Sequence, residues 1–128
     1  MLYFVILIVL SSCQEHEIFI TAHRGASGQA PENTMSAYLL AMEMGSDYAE
    51  LDVQETSDDV LILFHDKTYD RTAGISANVW ELPYQSIKNF DVGSWKSIKY
   101  KNEPIPLFSD IIDSVDGKMF LNVEIKMN

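Results

Sequence analysis

Apolar residues in this chain fall into short runs whose spacing changes from one run to the next. After a polar stretch at 14–17, residues 18–22 (IFITA) predict a short buried strand. Residues 35–44 (MSAYLLAMEM) set Ala37, Leu40, Ala41 and Met44 at helical spacing, so these four share a face. Asn33 or Thr34 can cap that helix, and Gly45 can stop it. The run 48–53 (YAELDV) alternates apolar with acidic residues, the pattern of a strand with one apolar face. Strand, helix and strand in so short a stretch make a βαβ unit, which implies parallel strands.

The apolar run 60–64 (VLILF) follows too closely for a parallel crossover. It predicts a hairpin turning near Asp58 and Asp59. Counting outward, Ser57 faces Val60, Val53 faces Phe64, and Asp52 faces His65. Residues 66–106 show no sustained period and hold three of the four prolines and both tryptophans. They predict a long irregular connection with one short helix near 84–90, and connections of that length are often functional. Residues 107–115 (LFSDIIDSV) predict an amphipathic helix, and 119–125 (MFLNVEI) a strand.

Composition adds two constraints. The chain of 128 residues is 47% hydrophobic and 22% charged, a globular balance that suits one small domain or a portion of a larger one. With 19 acidic against 9 basic residues the formal charge is −10, which disfavours nucleic acid as a partner. An anionic substrate then needs a local cation. The single cysteine, Cys13, excludes an intrachain disulfide. It follows the uninterrupted apolar run 2–10 (LYFVILIVL), too short to span a bilayer core of about 30 Å but of signal-peptide length. Leu10-Ser11-Ser12-Cys13 resembles a bacterial lipobox, although no Lys or Arg precedes the run. The resemblance implies a signal peptide over 1–12, a lipidated Cys13 at the mature N-terminus, and attachment to a membrane of the bacterial cell envelope, facing the periplasm or exterior.

The candidate chemistry lies at strand ends. Glu50 and Asp52 share one face of their strand, opposite Ala49, Leu51 and Val53; Asn122, Glu124 and Lys126 share a face of the last strand. Three converging carboxylates require a compensating cation, and hard oxygen ligands suit Mg²⁺ or Ca²⁺. His16 lies in the polar tether and reads as solvated. His23 and His65 each follow an apolar strand and precede a charged residue, a placement that suits a general acid–base pair. Arg24 can fork onto a phosphate, and Gly25 permits close backbone approach.

In order, HRG with PENT, ELDV, FHD and VEIK resemble the motifs of the glycerophosphodiester phosphodiesterase family, over residues 22–126. DVGSW (91–95) and EPIPLFSDII resemble the family's link into its next helix, except that Leu107 stands where the family usually has Thr. The resemblance implies the N-terminal part, over 13–128, of a (β/α)8 TIM barrel of the phospholipase C-like phosphodiesterase type, with its site at the C-terminal ends of the strands. It makes His23 and His65 the catalytic acid and base, in an order left open. Glu50, Asp52 and Glu124 would bind the divalent cation, Arg24 and Lys126 the phosphate, and Glu32 and Asn33 would support the site. The implied reaction releases glycerol 3-phosphate and an alcohol. Alternatives are a lipid-anchored binding module without turnover, or a related phospholipase acting on another headgroup. A complete barrel takes about 250 residues. The remaining half is therefore expected from further C-terminal sequence, and this portion alone is expected to be inactive or prone to aggregate.

Overall fold

The computed structural model describes residues 17–127. Cys13 and the apolar run before it lie outside the described residues, and no helix among those described is long and apolar enough to cross a membrane. In chain order the elements are β1 (Thr21–Ala22), α1 (Met35–Glu43), β2 (Tyr48–Glu55), β3 (Leu61–Leu63), α2 (Asp70–Ala73), α3 (Tyr84–Ile87), α4 (Phe108–Val115) and β4 (Phe120–Ile125), with 3₁₀ turns at Val79–Glu81 and Ile98–Tyr100.

β2 is the strand to which all the others attach. Tyr48 pairs with both Thr21 of β1 and Phe120 of β4, and Val53 pairs with both Leu63 of β3 and Ile125 of β4. A strand has two edges, so β1 and β3 share one edge of β2 and β4 takes the other. β1 and β4 run parallel to β2, and β3 runs antiparallel. This is the βαβ arrangement that the hydrophobic pattern predicts.

The two faces of β2 serve different purposes. Ala49, Leu51 and Val53 are buried with Tyr38 and Ala41 of α1 and with Ile111 and Val115 of α4. Each buried large aliphatic chain there is worth about 1.5–3 kcal/mol. α1 starts where the sequence indicates: Thr34 is its N-cap, with Oγ1 accepting from the Ala37 N–H at 3.3 Å. Its buried face is Ala37, Tyr38 and Ala41. Met44, expected on that face, is exposed. The large Tyr38 ring, one position from Ala37, takes the space against the sheet instead. α4 begins without a side-chain cap, because Leu107 occupies the N-cap position.

Two expectations need correction. β1 is only two residues long, and Ile18, Phe19 and Ile20 are exposed rather than buried. The β2 ladder starts at Tyr48, so nothing pairs with the earlier residues as a strand; Asp47 accepts from the Ile20 N–H instead. The hairpin register is one residue off the count made from sequence: Val53 faces Leu63, and Phe64 donates its N–H to the Asp52 carbonyl. The cause is a three-residue turn. Thr56 and Val60 close it, and Asp59 adopts a left-handed φ of 61°. Residues 66–106 contain the short helix expected near 84–90, as α3, and more order besides. They carry α2, α3 and both 3₁₀ turns around a second core of Ile62, Phe64, Tyr69, Val79, Ile87, Val92 and Ile105.

That connection is latched onto the segment between β1 and α1 and onto the first turn of α1. Lys96 Nζ donates to the Ser27 carbonyl at 2.6 Å, Tyr100 Oη donates to the Gln29 carbonyl, and Glu103 accepts from both the N–H and the hydroxyl of Ser36.

Candidate active site

The ladder between β2 and β4 sets Asp52 directly beside Glu124, and alternation puts Glu50 on the same face. One carboxylate oxygen from each of Glu50, Asp52 and Glu124 can be chosen so that all three lie within 4.8 Å of one another. Asp52 is completely buried, Glu50 half-buried and Glu124 exposed.

A buried carboxylate must be compensated or it would not ionise. Asn33 Nδ2 donates to Asp52 Oδ2 at 2.7 Å, while Asn33 Oδ1 accepts from the Asp52 N–H and from Tyr38 Oη. Two cations flank the same group: Arg24 Nε lies 3.3 Å from Oδ2 and Lys126 Nζ 2.9 Å from Oδ1. Both are ion pairs without hydrogen-bond alignment, so Asp52 Oδ1 is a buried acceptor with no bonded donor. Lys126 Nζ also bonds Glu124, which follows β4's alternation onto the same face. Burial works against the charge on Lys126, but its bond to Glu124 and the nearby charge of Asp52 prevail and raise its pKa.

The segment after β1 is wound tightly to bring its residues here. Arg24 and Gly25 are both left-handed, with φ of 54° and 73°. This turns the Arg24 N–H onto Glu50 Oε2 at 2.9 Å. A Cβ on Gly25 would sit 2.7 Å from the Ala37 Cβ, so glycine is required for both its φ and its contact with α1. Asn33, also left-handed, donates its N–H to the Arg24 carbonyl. His23 projects outward, largely exposed, with Nε2 3.9 Å from Glu50 Oε2.

His65 reaches the site by a different route from the one expected. It follows the residue opposite Asp52, and it shares a small cavity with Glu32, Asn33, Arg71 and Thr72. Its Nδ1 lies 2.6 Å from Asp66 Oδ1. Arg71, in α2, grips two carboxylates: Nε and Nη2 donate to Asp66, and Nη1 and Nη2 donate to Glu32. Glu32 Oε1 also accepts from Arg24 Nη1 at 2.9 Å. The Arg71 bonds, aided by His65 and opposed by burial, hold the Asp66 carboxyl below its usual range. Burial would raise Glu32, but the bonds and charge of Arg71 and then Arg24 outweigh it and lower its pKa. Burial, followed by the charges of Glu50 and Asp52, drives the Tyr38 hydroxyl well above the usual tyrosine range.

All the candidate residues of the described chain thus converge: His23, Arg24, Glu32, Asn33, Glu50, Asp52, His65, Glu124 and Lys126. Arg71, Asp66 and Tyr38 are additional members. A signal for Arg71 did exist in the sequence, because Arg24 and Arg71 are its two arginines. Across the cluster, carboxylates Glu32, Glu50, Asp52, Asp66 and Glu124 face Arg24, Arg71 and Lys126, leaving a formal excess of two negative charges. That excess, the three close oxygens and the unbonded Asp52 Oδ1 fit a hard divalent cation.

Residues 23–128 match the model of the glycerophosphoryl diester phosphodiesterase family. The chain belongs to this family. A glycerophosphodiester phosphodiesterase of Caldanaerobacter subterraneus subsp. tengcongensis is 42% identical over 108 residues, which cover 84% of this chain and 44% of that protein. Among solved structures, a glycerophosphodiester phosphodiesterase from Agrobacterium tumefaciens superposes with a TM-score of 0.84 at 36% identity, covering 87% of this chain and 48% of the other. A phosphodiesterase from Oleispira antarctica, solved in complex with the product sn-glycerol-3-phosphate, gives 0.82 at 37% identity, covering 85% and 44%. The sheet described above is therefore the N-terminal part of the family's TIM barrel, and the chain spans a little under half the length of these relatives.

Proposed function

We propose that this chain carries the catalytic residues of a metal-dependent phosphodiesterase that hydrolyses glycerophosphodiesters to glycerol 3-phosphate and an alcohol. The observation that carries the reading is the carboxylate trio of Glu50, Asp52 and Glu124, with two histidines and two cationic side chains around it. The product named for the Oleispira relative supports the substrate class. Glu50, Asp52 and Glu124 would hold the cation, which when bound would polarise phosphate oxygens and offset developing charge.

The remaining work falls to the protein. Arg24 and Lys126 orient the phosphodiester through N–H bonds to its oxygens. One histidine takes the proton of the glycerol hydroxyl beside the phosphate, and that oxygen bonds to phosphorus. The bond to the departing alcohol breaks, and the other histidine gives that oxygen a proton. Water then opens the cyclic phosphate, restoring the hydroxyl and leaving glycerol 3-phosphate. His23, exposed and beside Glu50, and His65, half-buried on Asp66, have different surroundings and so can fill opposite roles.

The test is release of glycerol 3-phosphate from glycerophosphocholine by protein that contains these residues in a full-length barrel. Release should stop with EDTA, and in a His23→Ala variant of unchanged circular dichroism. Full turnover in that variant would remove His23 from the mechanism. The same proposal tethers the protein to the cell envelope through Cys13: labelling with an alkyne fatty acid should disappear in Cys13→Ser, and equal labelling of both would defeat the tether.

A further inference from the structure

We propose that Arg71 is a positioning residue for His65. Acting through Asp66, it fixes the imidazole as the Nδ1–H tautomer and leaves Nε2 as the nitrogen that exchanges protons. The idea rests on the reading of His65 as an acid or base, and it concerns a side chain outside the HRG, PENT, ELDV, FHD and VEIK motifs.

The geometry is that of an oriented pair. An imidazole nitrogen 2.6 Å from an ionised carboxylate carries the proton, because the carboxylate can only accept. Asp66 is kept ionised and fixed in plane by Arg71. Nε donates to Oδ2 at 2.6 Å and Nη2 to Oδ1 at 3.1 Å, the same oxygen that faces His65. The Asp66 carboxylate therefore cannot rotate without breaking the fork. Arg71 is itself held from three sides. Glu32 takes Nη1 and Nη2 at 2.9 and 2.6 Å, and the Trp95 ring lies 5.5 Å from the guanidinium carbon. Each of its three nitrogens is in use, and only a planar guanidinium can fork onto two carboxylates at once.

Glu32 extends the arrangement. It bonds Arg24 on its other side, and Arg24 pairs with Asp52. One unbroken series of contacts, His65–Asp66–Arg71–Glu32–Arg24–Asp52, joins the half-buried histidine to the buried carboxylate. The pivot is supplied by α2, in the long connection between β3 and α4. The connection thus helps to assemble the site, and does more than cover its own core.

Two readouts test this in the full-length protein. Long-range ¹H–¹⁵N spectra of the histidine rings, at a pH where imidazole is neutral, should show His65 as the Nδ1–H tautomer. Arg71→Met should populate the other tautomer, and Asp66→Asn should do so more strongly. In turnover of glycerophosphocholine, Arg71→Met should lower kcat on the order of 10- to 100-fold with KM little changed, as loss of an orienting partner does. Arg71→Lys should not restore it, because lysine returns the charge without the fork. An unchanged tautomer in Arg71→Met would overturn the proposal, as would full rescue by lysine. A fixed tautomer in protein without phosphodiesterase activity would sink the proposed function and leave the positioning intact.

Discussion

Asn33 Nδ2 and Asp52 Oδ2 are joined by a 2.7 Å hydrogen bond between fully enclosed side chains. Asn33 also accepts from the Asp52 N–H and the Tyr38 hydroxyl, so one amide satisfies three groups. Asn33→Ala leaves them stranded and should cost about 1–3 kcal/mol, read as a lower urea midpoint with an unchanged slope.

The cation should be measurable without turnover. At a hundredfold excess over its dissociation constant, Mg²⁺ or Ca²⁺ should stabilise the protein by about 2.7 kcal/mol, and EDTA should reverse the gain. Asp52→Asn should abolish it. Lys126 Nζ contacts two of the three proposed ligands, so Lys126→Met should tighten cation binding, on the order of tenfold, by calorimetric titration.

Gly25 and Gly45 make a controlled pair, with φ of 73° and 76°. A methyl group at Gly45 meets nothing within 4 Å, whereas at Gly25 it meets the Cβ and backbone of Ala37. Gly45→Ala should cost about 1–2 kcal/mol, the penalty for left-handed backbone alone. Gly25→Ala should cost clearly more, and should also disturb the Arg24 N–H contact with Glu50. Equal thermal shifts in the two variants would show that α1 yields easily at Ala37.

Acid should weaken the fold through Glu32 and Asp66. Both carboxyls are lowered in the folded protein. Their contribution is present above the unfolded carboxylate pKa of about 4 and fades as pH falls through the folded values. Urea midpoints measured from neutral to acid pH should drop below about pH 4. In Arg71→Met the drop should be shallower, because the stabilised carboxylates have lost their main partner.

Much of this site was legible because strand alternation is a local rule. Glu50 and Asp52 on one face of β2, and Glu124 on one face of β4, follow from a period of two. The register of β3 was not, since it depended on one residue: Asp59 in a left-handed turn lengthens the loop to three residues and shifts every pair. Arg71 stood out only as one of two arginines, and nothing in the sequence tied it to the site. Its partners Glu32 and Asp66 lie 39 and 5 residues away, and no periodicity links them. The exposure of Ile18, Phe19 and Ile20 was masked by their hydrophobicity, which speaks of burial while the ladder begins only at Thr21.

The pairing of β2 with β4 also sets an order of events. Glu50 and Asp52 emerge early during synthesis, whereas Glu124 arrives only after α2, α3 and α4 have been made. Closing so long a loop is entropically unfavourable until the strands meet. A nascent chain therefore presents only two of the three clustered carboxylates, and the proposed cation site would be complete only once the last of these strands has docked.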